Sequence, residues 1–179
     1  RHGKVIAPHV PLERWPGERT DDPDLRATVM SDVMSLDPDL HELTQHEVEA
    51  MDPQLRVFLR VVRQCLLEAG LSSADLSGKR VGLFVGCRPS GFSSLLEPSA
   101  AKKPEFFLGT DEAMFASQVA HRLDLRGPTL TVNTTCSSGL VALHIARQSL
   151  GNGECDIAIV AATSVICDPD FLRKTAKLG

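Results

Sequence analysis

Thr129-Leu130-Thr131-Val132-Asn133-Thr134-Thr135-Cys136-Ser137-Ser138-Gly139-Leu140-Val141-Ala142-Leu143 passes from a β-branched run to an apolar run through small polar residues grouped around one cysteine. Gly127-Pro128 turns the chain into a strand at Thr129–Asn133, and after a tight turn at Thr134–Thr135 the spacing predicts a helix from about Cys136 to Leu150. Gly151-Asn152-Gly153 stops that helix, and Asp156–Ala162 reads as a buried strand. Strand, helix and strand in this order make a βαβ unit with a parallel pair. The helix is apolar nearly all round, with Leu140, Val141, Ala142, Leu143, Ile145 and Ala146. Such a helix belongs inside a layered fold. The expected class is therefore α/β, with a mostly parallel or mixed sheet and a buried central helix.

Cys136 falls at the amino terminus of that helix. A helix start presents unpaired N–H groups and partial positive charge, both of which favour thiolate over thiol. Thiolate is the form that attacks carbonyl carbon, and the Cys136 N–H is placed to bind the resulting oxyanion. Thr134, Thr135, Ser137, Ser138 and Gly139 permit a sharp turn and leave room at sulfur. Composition alone leaves a buried structural thiol equally open, since free cysteine is often simply buried; the turn favours catalysis. His144 cannot be its base, because eight residues of helix put it roughly 12 Å further along. It reads as a satisfied core histidine. His121 is a weaker candidate for polar structure near the site, and His2, His9, His41 and His46 read as surface residues.

Outward from this unit, Leu55, Phe58, Leu59, Val62, Cys65, Leu66 and Ala69 recur at helical spacing over Pro53–Ala69, with Arg56, Arg60, Arg63 and Gln64 on the solvent side. Asp52 suits the cap, Pro53 the first turn and Gly70 the stop. Cys65 on the apolar stripe reads as a buried thiol. Val81–Val85 reads as a strand buried on both faces, followed by Cys87 in a packing role. Arg88–Gly109 reads as a long loop open to neighbour contacts, and Asp111–Leu123 as a second helix. Residues 1–50, interrupted by Pro8, Pro11, Pro16, Pro23 and Pro38, read as an irregular leader with short turns near Leu25–Met34 and Leu40–Glu47, and with Trp15 packed on a larger body.

The chain has 179 residues, 42% hydrophobic and 23% charged, which suits one domain or a large piece of one. No apolar run is long enough to span a bilayer and no signal sequence opens the chain, which points to the cytoplasm rather than a membrane. A net charge of −4 without a basic stripe argues against nucleic acid. Five cysteines without a C-x-x-C pair read as reduced thiols rather than disulfides or zinc ligands, so no metal is expected. No hydrolase elbow G-x-S-x-G, P-loop or dinucleotide fingerprint appears. A start at Arg1 without Met and an end at Gly179 suggest an internal segment of a longer polypeptide.

The run Gly127–His144 resembles the active-site stretch of polyketide synthase ketosynthase domains, G-P-S-x-x-V-D-T-A-C-S-S-S-L-V-A-x-H. Glu49-Ala50-Met51-Asp52-Pro53-Gln54-Leu55-Arg56 is similar to the family's E-A-M-D-P-Q-Q-R, Gly153-Glu154-Cys155-Asp156 to its G-E-C-D, and Val10–Trp15 to its V-P-x-x-R-W. These landmarks run in family order from beginning to end. The resemblance implies a partial thiolase-like fold, namely the amino-terminal part of one ketosynthase domain, with a 1–50 leader and a 51–179 core.

It further implies a homodimer joined across the strand before the nucleophile, and an acyl carrier protein partner whose phosphopantetheine delivers the acyl chain, with no cofactor bound directly. Cys136 would accept that chain as a thioester for decarboxylative Claisen condensation with a malonyl-type extender. The family's two histidines, in H-G-T-G-T and G-H contexts, and its Gly-rich oxyanion loop would lie after this segment, and its opening strand before it. The segment alone is therefore expected to be inactive without the remaining part of the domain. Thr135 and Gly139 stand where the family has Ala and Ser, and Ala161-Ala162-Thr163-Ser164 replaces a more glycine-rich run. Such departures leave open a non-elongating acyl-transferring module or a non-catalytic scaffold that binds carrier protein.

Overall fold

Val81–Gly86 forms β1, buried at every position, and this apolar run takes the middle of a three-stranded parallel sheet ordered β2-β1-β3. The computed structural model describes residues 27–37, 43–96 and 104–178. β2 (Thr129–Val132) pairs with Leu83–Gly86, and β3 (Ile157–Ala162) pairs with the whole of β1. The βαβ unit therefore skips a strand: β2 and β3 do not pair with each other, because β1 lies between them. The threonines of β2 suit an edge, whereas β1 carries no polar side chain and takes the centre.

The pleat divides β1 between two cores. Val81, Leu83 and Val85 pack with Leu55, Phe58 and Val62 of α2 (Pro53–Glu68) and Phe115 and Val119 of α5 (Phe115–Arg122). Phe84 points the other way, into Ala142 and Ala146 of α6 (Ser138–Gly151) and Cys155. The chain is thus a helix–sheet–helix sandwich, the expected α/β class. Among the described residues only one side of α6 is covered. Ala142 and Ala146 meet the sheet, while Leu140 and Leu143 are 74% and 53% exposed.

α2 follows its signals: the Asp52 carboxylate accepts from Gln54 N–H at 2.7 Å, Pro53 opens the helix, and Gly70 at φ 68 ends it. Two expectations on it fail. Cys65 is exposed, because toward its end the covered face narrows to Val62 and Leu66. Arg56 is buried, because the first turns of α2 are enclosed on all sides. Its guanidinium donates to the carbonyls of Met51 (2.9 Å), Met34 (2.9 Å) and Glu49 (3.4 Å).

The segment read as one long loop holds structure. A 3₁₀ turn covers Phe92–Leu95, and α4 (Pro104–Thr110) docks beside α1 (Gln45–Ala50), with Asp52 N–H donating to Gly109 O at 2.9 Å. Pro104 and Glu105 supply the start that the polar composition hid. The second helix is composite, a 3₁₀ turn at Glu112–Met114 capped by Asp111 and continued by α5. A short α3 (Ser73–Leu76) leads into β1, and α7 (Asp170–Ala176) comes after β3. Over residues 27–34 there is no helical turn; α1 starts at Gln45 on a capping box of Thr44 and Glu47. Trp15, His2, His9, His41 and the leader prolines Pro8, Pro11, Pro16, Pro23 and Pro38 lie outside the described residues. Among the described residues no helix is long and apolar enough to cross a membrane.

Candidate active site

At the carboxyl end of β2 the chain reverses within three residues. Thr135 adopts φ 57, a left-handed conformation that a β-branched residue enters only under constraint. A 3₁₀ turn over Thr135–Ser137 then runs into α6, so Cys136 lies in that turn and not in the α-helix itself. The flanking residues are more than small, because their hydroxyls hold the turn. Ser138 Oγ donates to Thr135 O (2.7 Å) and accepts from Thr134 N–H (2.9 Å). Ser137 Oγ donates to Thr134 O at 2.8 Å, and Thr135 N–H donates to Asn133 Oδ1 at 3.2 Å.

Glycine lets this elbow sit on the sheet. A β-carbon on Gly86 would lie 2.5 Å from the Ser138 carbonyl carbon, and one on Gly139 would lie 2.9 Å from Ala162 Cβ. The first turn of α6 therefore rests directly on the ends of β1 and β3. Cys136 is exposed there and opens onto a cavity of about 620 Å³ lined also by Gly86, Cys87, Arg88, Asn133, Ser164 and Phe171. This is the crevice beyond the carboxyl ends of parallel strands, where open α/β sheets bind ligands.

The cavity has a second chemical group, which the sequence reading did not single out. The Arg88 guanidinium stacks 3.4 Å from the centroid of the Phe171 ring. Burial draws the Arg88 pKa down, and the negative charge that Cys136 carries as thiolate acts in the opposite direction. Gln54, fully buried on α2, braces the rim: its Nε2 donates to Arg88 O at 2.9 Å and its Oε1 accepts from Val165 N–H at 2.7 Å. Asp52 accepts a hydrogen bond from Ser90 Oγ, and burial raises the Asp52 pKa. The sequence signal for Arg88 was its place just past the end of a fully apolar strand, two residues after Gly86.

Cys87 borders the cavity but is no second candidate nucleophile. It is buried in the α2–α5 core, and burial pushes its thiol up to about 12. His144 is exposed, contrary to the expectation of a core histidine, because it lies on the side of α6 away from Ala142 and Ala146. His121 is exposed near the end of α5, and no histidine among the described residues lines the Cys136 cavity. His46 is exposed, as expected of a surface residue.

Together these features define a thiolase-like α/β fragment that presents a thiol at a strand-to-helix elbow. The profile of the family described as "Beta-ketoacyl synthase, N-terminal domain" matches residues 2–179. Over 122 residues, 68% of the chain, it is 38% identical to the highly reducing polyketide synthase GPY1 of Gibberella fujikuroi. Over 125 residues it is 37% identical to the lovastatin diketide synthase lovF of Aspergillus terreus. Among solved structures, the ketosynthase from module 6 of the bacillaene synthase of Bacillus subtilis 168 superposes with a TM-score of 0.81 at 29% identity over 96% of the chain. The oxazolomycin ketosynthase domain OzmH KS7 of Streptomyces albus JA3453 does so with 0.80 at 32% identity over 97%.

The chain belongs to the beta-ketoacyl synthase family and corresponds to the amino-terminal part of a polyketide-synthase ketosynthase. It spans 5% of the length of those two curated relatives, and 28% and 32% of the two solved chains.

Proposed function

We propose that Cys136 is the acyl-accepting nucleophile of a β-ketoacyl synthase acting in polyketide assembly. One observation carries this reading: an exposed thiol on a strained elbow, opening onto a cavity of about 620 Å³ at the strand ends. The Cys136 thiolate attacks the carbonyl carbon of a thioester on the phosphopantetheine of an acyl carrier protein. The Cys136 N–H donates to the oxyanion, a role supported by its position before the first intrahelical bond of its turn, made by Ser137 N–H to Thr134 O at 3.4 Å. Collapse expels the carrier thiolate, which takes up a proton, and leaves the acyl group on Cys136.

A malonyl-type extender on the carrier then loses CO₂. The electron pair of the broken C–C bond attacks the acyl–Cys136 carbonyl, and the Cys136 thiolate departs. The proton handling for this half falls to histidines in the remaining part of the domain. Residues 1–179 form part of one such domain, the 1–50 segment leading into the 51–179 core, and do not condense alone. The enzyme works in the cytoplasm as a homodimer. β2 supports that reading: it is an edge of the described sheet with open backbone groups, and Leu130 on it is 43% exposed.

The test is intact-protein mass spectrometry of the full natural polypeptide after incubation with an acyl thioester. The acyl mass is expected on a peptide containing Cys136 and absent from Cys136→Ala. Labelling that survives in Cys136→Ala removes the assignment. Elongation is read separately, as carrier-bound product one extender longer; stable acylation without that product identifies the non-elongating alternative.

A further inference from the structure

We propose that Arg88 makes the Cys136 cleft selective for acyl groups that carry a carboxylate, which docks on the guanidinium. This rests on Cys136 being the acyl acceptor. The residue follows directly on β1 and Cys87, and its backbone is pinned by Gln54. Stacking on Phe171 occupies one face of the guanidinium and leaves the N–H donors along its edge for a ligand.

Those donors have no partner among the described residues, whereas Arg60, Arg80, Arg122, Arg126 and Arg173 each sit against a carboxylate. Among the described residues no acidic side chain lines the cavity. A cation half withdrawn from water without a counter-ion is costly, and planar carboxylate is the anion its fork fits best.

The chemistry of the site sharpens the point. Cys136 and Arg88 line the same cleft, so the thiolate that attacks the thioester carries its charge on the side of the guanidinium. The thioester that replaces it is neutral, so the cation loses that partner at the moment the acyl chain occupies the cleft. A carboxylate on the acyl group restores the balance. The phosphate of a carrier arm does not serve, because the arm must bring its thioester to Cys136, leaving its phosphate at the far end.

The experiment compares acylation rates of Cys136 in the full natural polypeptide, by intact mass, with pantetheine thioesters of glutarate, malonate and the neutral, similarly sized pentanoate. A glutaryl-to-pentanoyl rate ratio of about ten or more is expected, the scale of one charge-assisted hydrogen bond. Glutarate, with its charge at the chain end, and malonate, with its charge beside the carbonyl, separate an acyl-chain carboxylate from that of an extender. Preference for either over pentanoate supports the docking role and assigns its source.

Arg88→Gln is expected to bring the ratio to about one, and Arg88→Glu to invert it, whereas Arg88→Lys retains part of it. Equal rates for all three donors in the wild type overturn the proposal while leaving Cys136 the acceptor. An unchanged ratio in Arg88→Gln and Arg88→Glu, both showing the wild-type circular dichroism, also overturns it. Uptake of none of the donors overturns the acceptor reading and this proposal with it.

Discussion

Gly86 and Ser138 meet backbone to backbone: a β-carbon on Gly86 would stand 2.5 Å from the Ser138 carbonyl carbon and 2.7 Å from its oxygen. Neither atom belongs to a side chain that could rotate away. This approach sets the depth at which α6 sits on β1, and hence where Cys136 opens into the cavity. Gly86→Ala is expected to destabilise the fold by about 1–3 kcal/mol, the cost of overpacking a closely packed contact. It should also slow Cys136 acylation more than it slows reaction of exposed Cys65 with a small alkylating reagent. Urea unfolding and thiol-labelling rates check the two effects. Equal slowing at both cysteines would mean that the contact does not position the elbow.

Gln54 joins the Arg88 carbonyl to the Val165 amide across the end of the sheet. Gln54→Leu keeps the volume but strands a buried donor and weakens the hold on an acceptor. A loss of about 1–3 kcal/mol is expected for each buried group left unpaired. Denaturant midpoints measure the loss, and a variant as stable as wild type would show that neither bond contributes.

Thr135 at φ 57 stores strain of about 1–3 kcal/mol, and Gly at that position returns about 0.5–1 kcal/mol to the unfolded chain. Thr135→Gly is therefore expected to be neutral or stabilising by about 1 kcal/mol. Acylation of Cys136 should slow as the elbow gains freedom. Faster acylation in Thr135→Gly would show that the strained turn does not orient the thiol.

Cys87, with its thiol pushed up to about 12, links stability to alkaline pH. The folded protein holds this proton more tightly than the unfolded chain, whose ordinary value is 9.0. The contribution is complete below pH 9.0 and is lost as pH rises through about 12. The decline over that range is expected to be shallower in Cys87→Ala than in wild type, measured as unfolding free energy against pH. Native alkylation at pH 8 should label Cys65 and Cys136 and spare Cys87, Cys155 and Cys167, which become reactive only in denaturant. Rapid native labelling of Cys87 would contradict its burial.

Local sequence carried much of this molecule, for identifiable reasons. Asp52-Pro53 and Gly70 bounded α2 because caps and stops act through neighbouring backbone groups. The strand at Val81, the elbow at Thr135 and the cysteine within it were legible because period and turn chemistry are local. So was the family, through landmarks spread along the chain.

What remained hidden depends on partners distant in sequence. The same apolar stripe placed Cys65 inside and Arg56 outside, and packing reversed both, since enclosure of α2 changes along its length. His144 looked buried because α6 is apolar on every side, yet only the side bearing Ala142 and Ala146 meets the sheet. The insertion of β1 between β2 and β3 could not be read from their order along the chain, because pairing is a contest among all strands. By itself the sequence determined the elbow, its thiol and the family. Only the tertiary structure brought Arg88 and Phe171 to that thiol, because they follow β1 and β3 and meet Cys136 where the parallel strands end together.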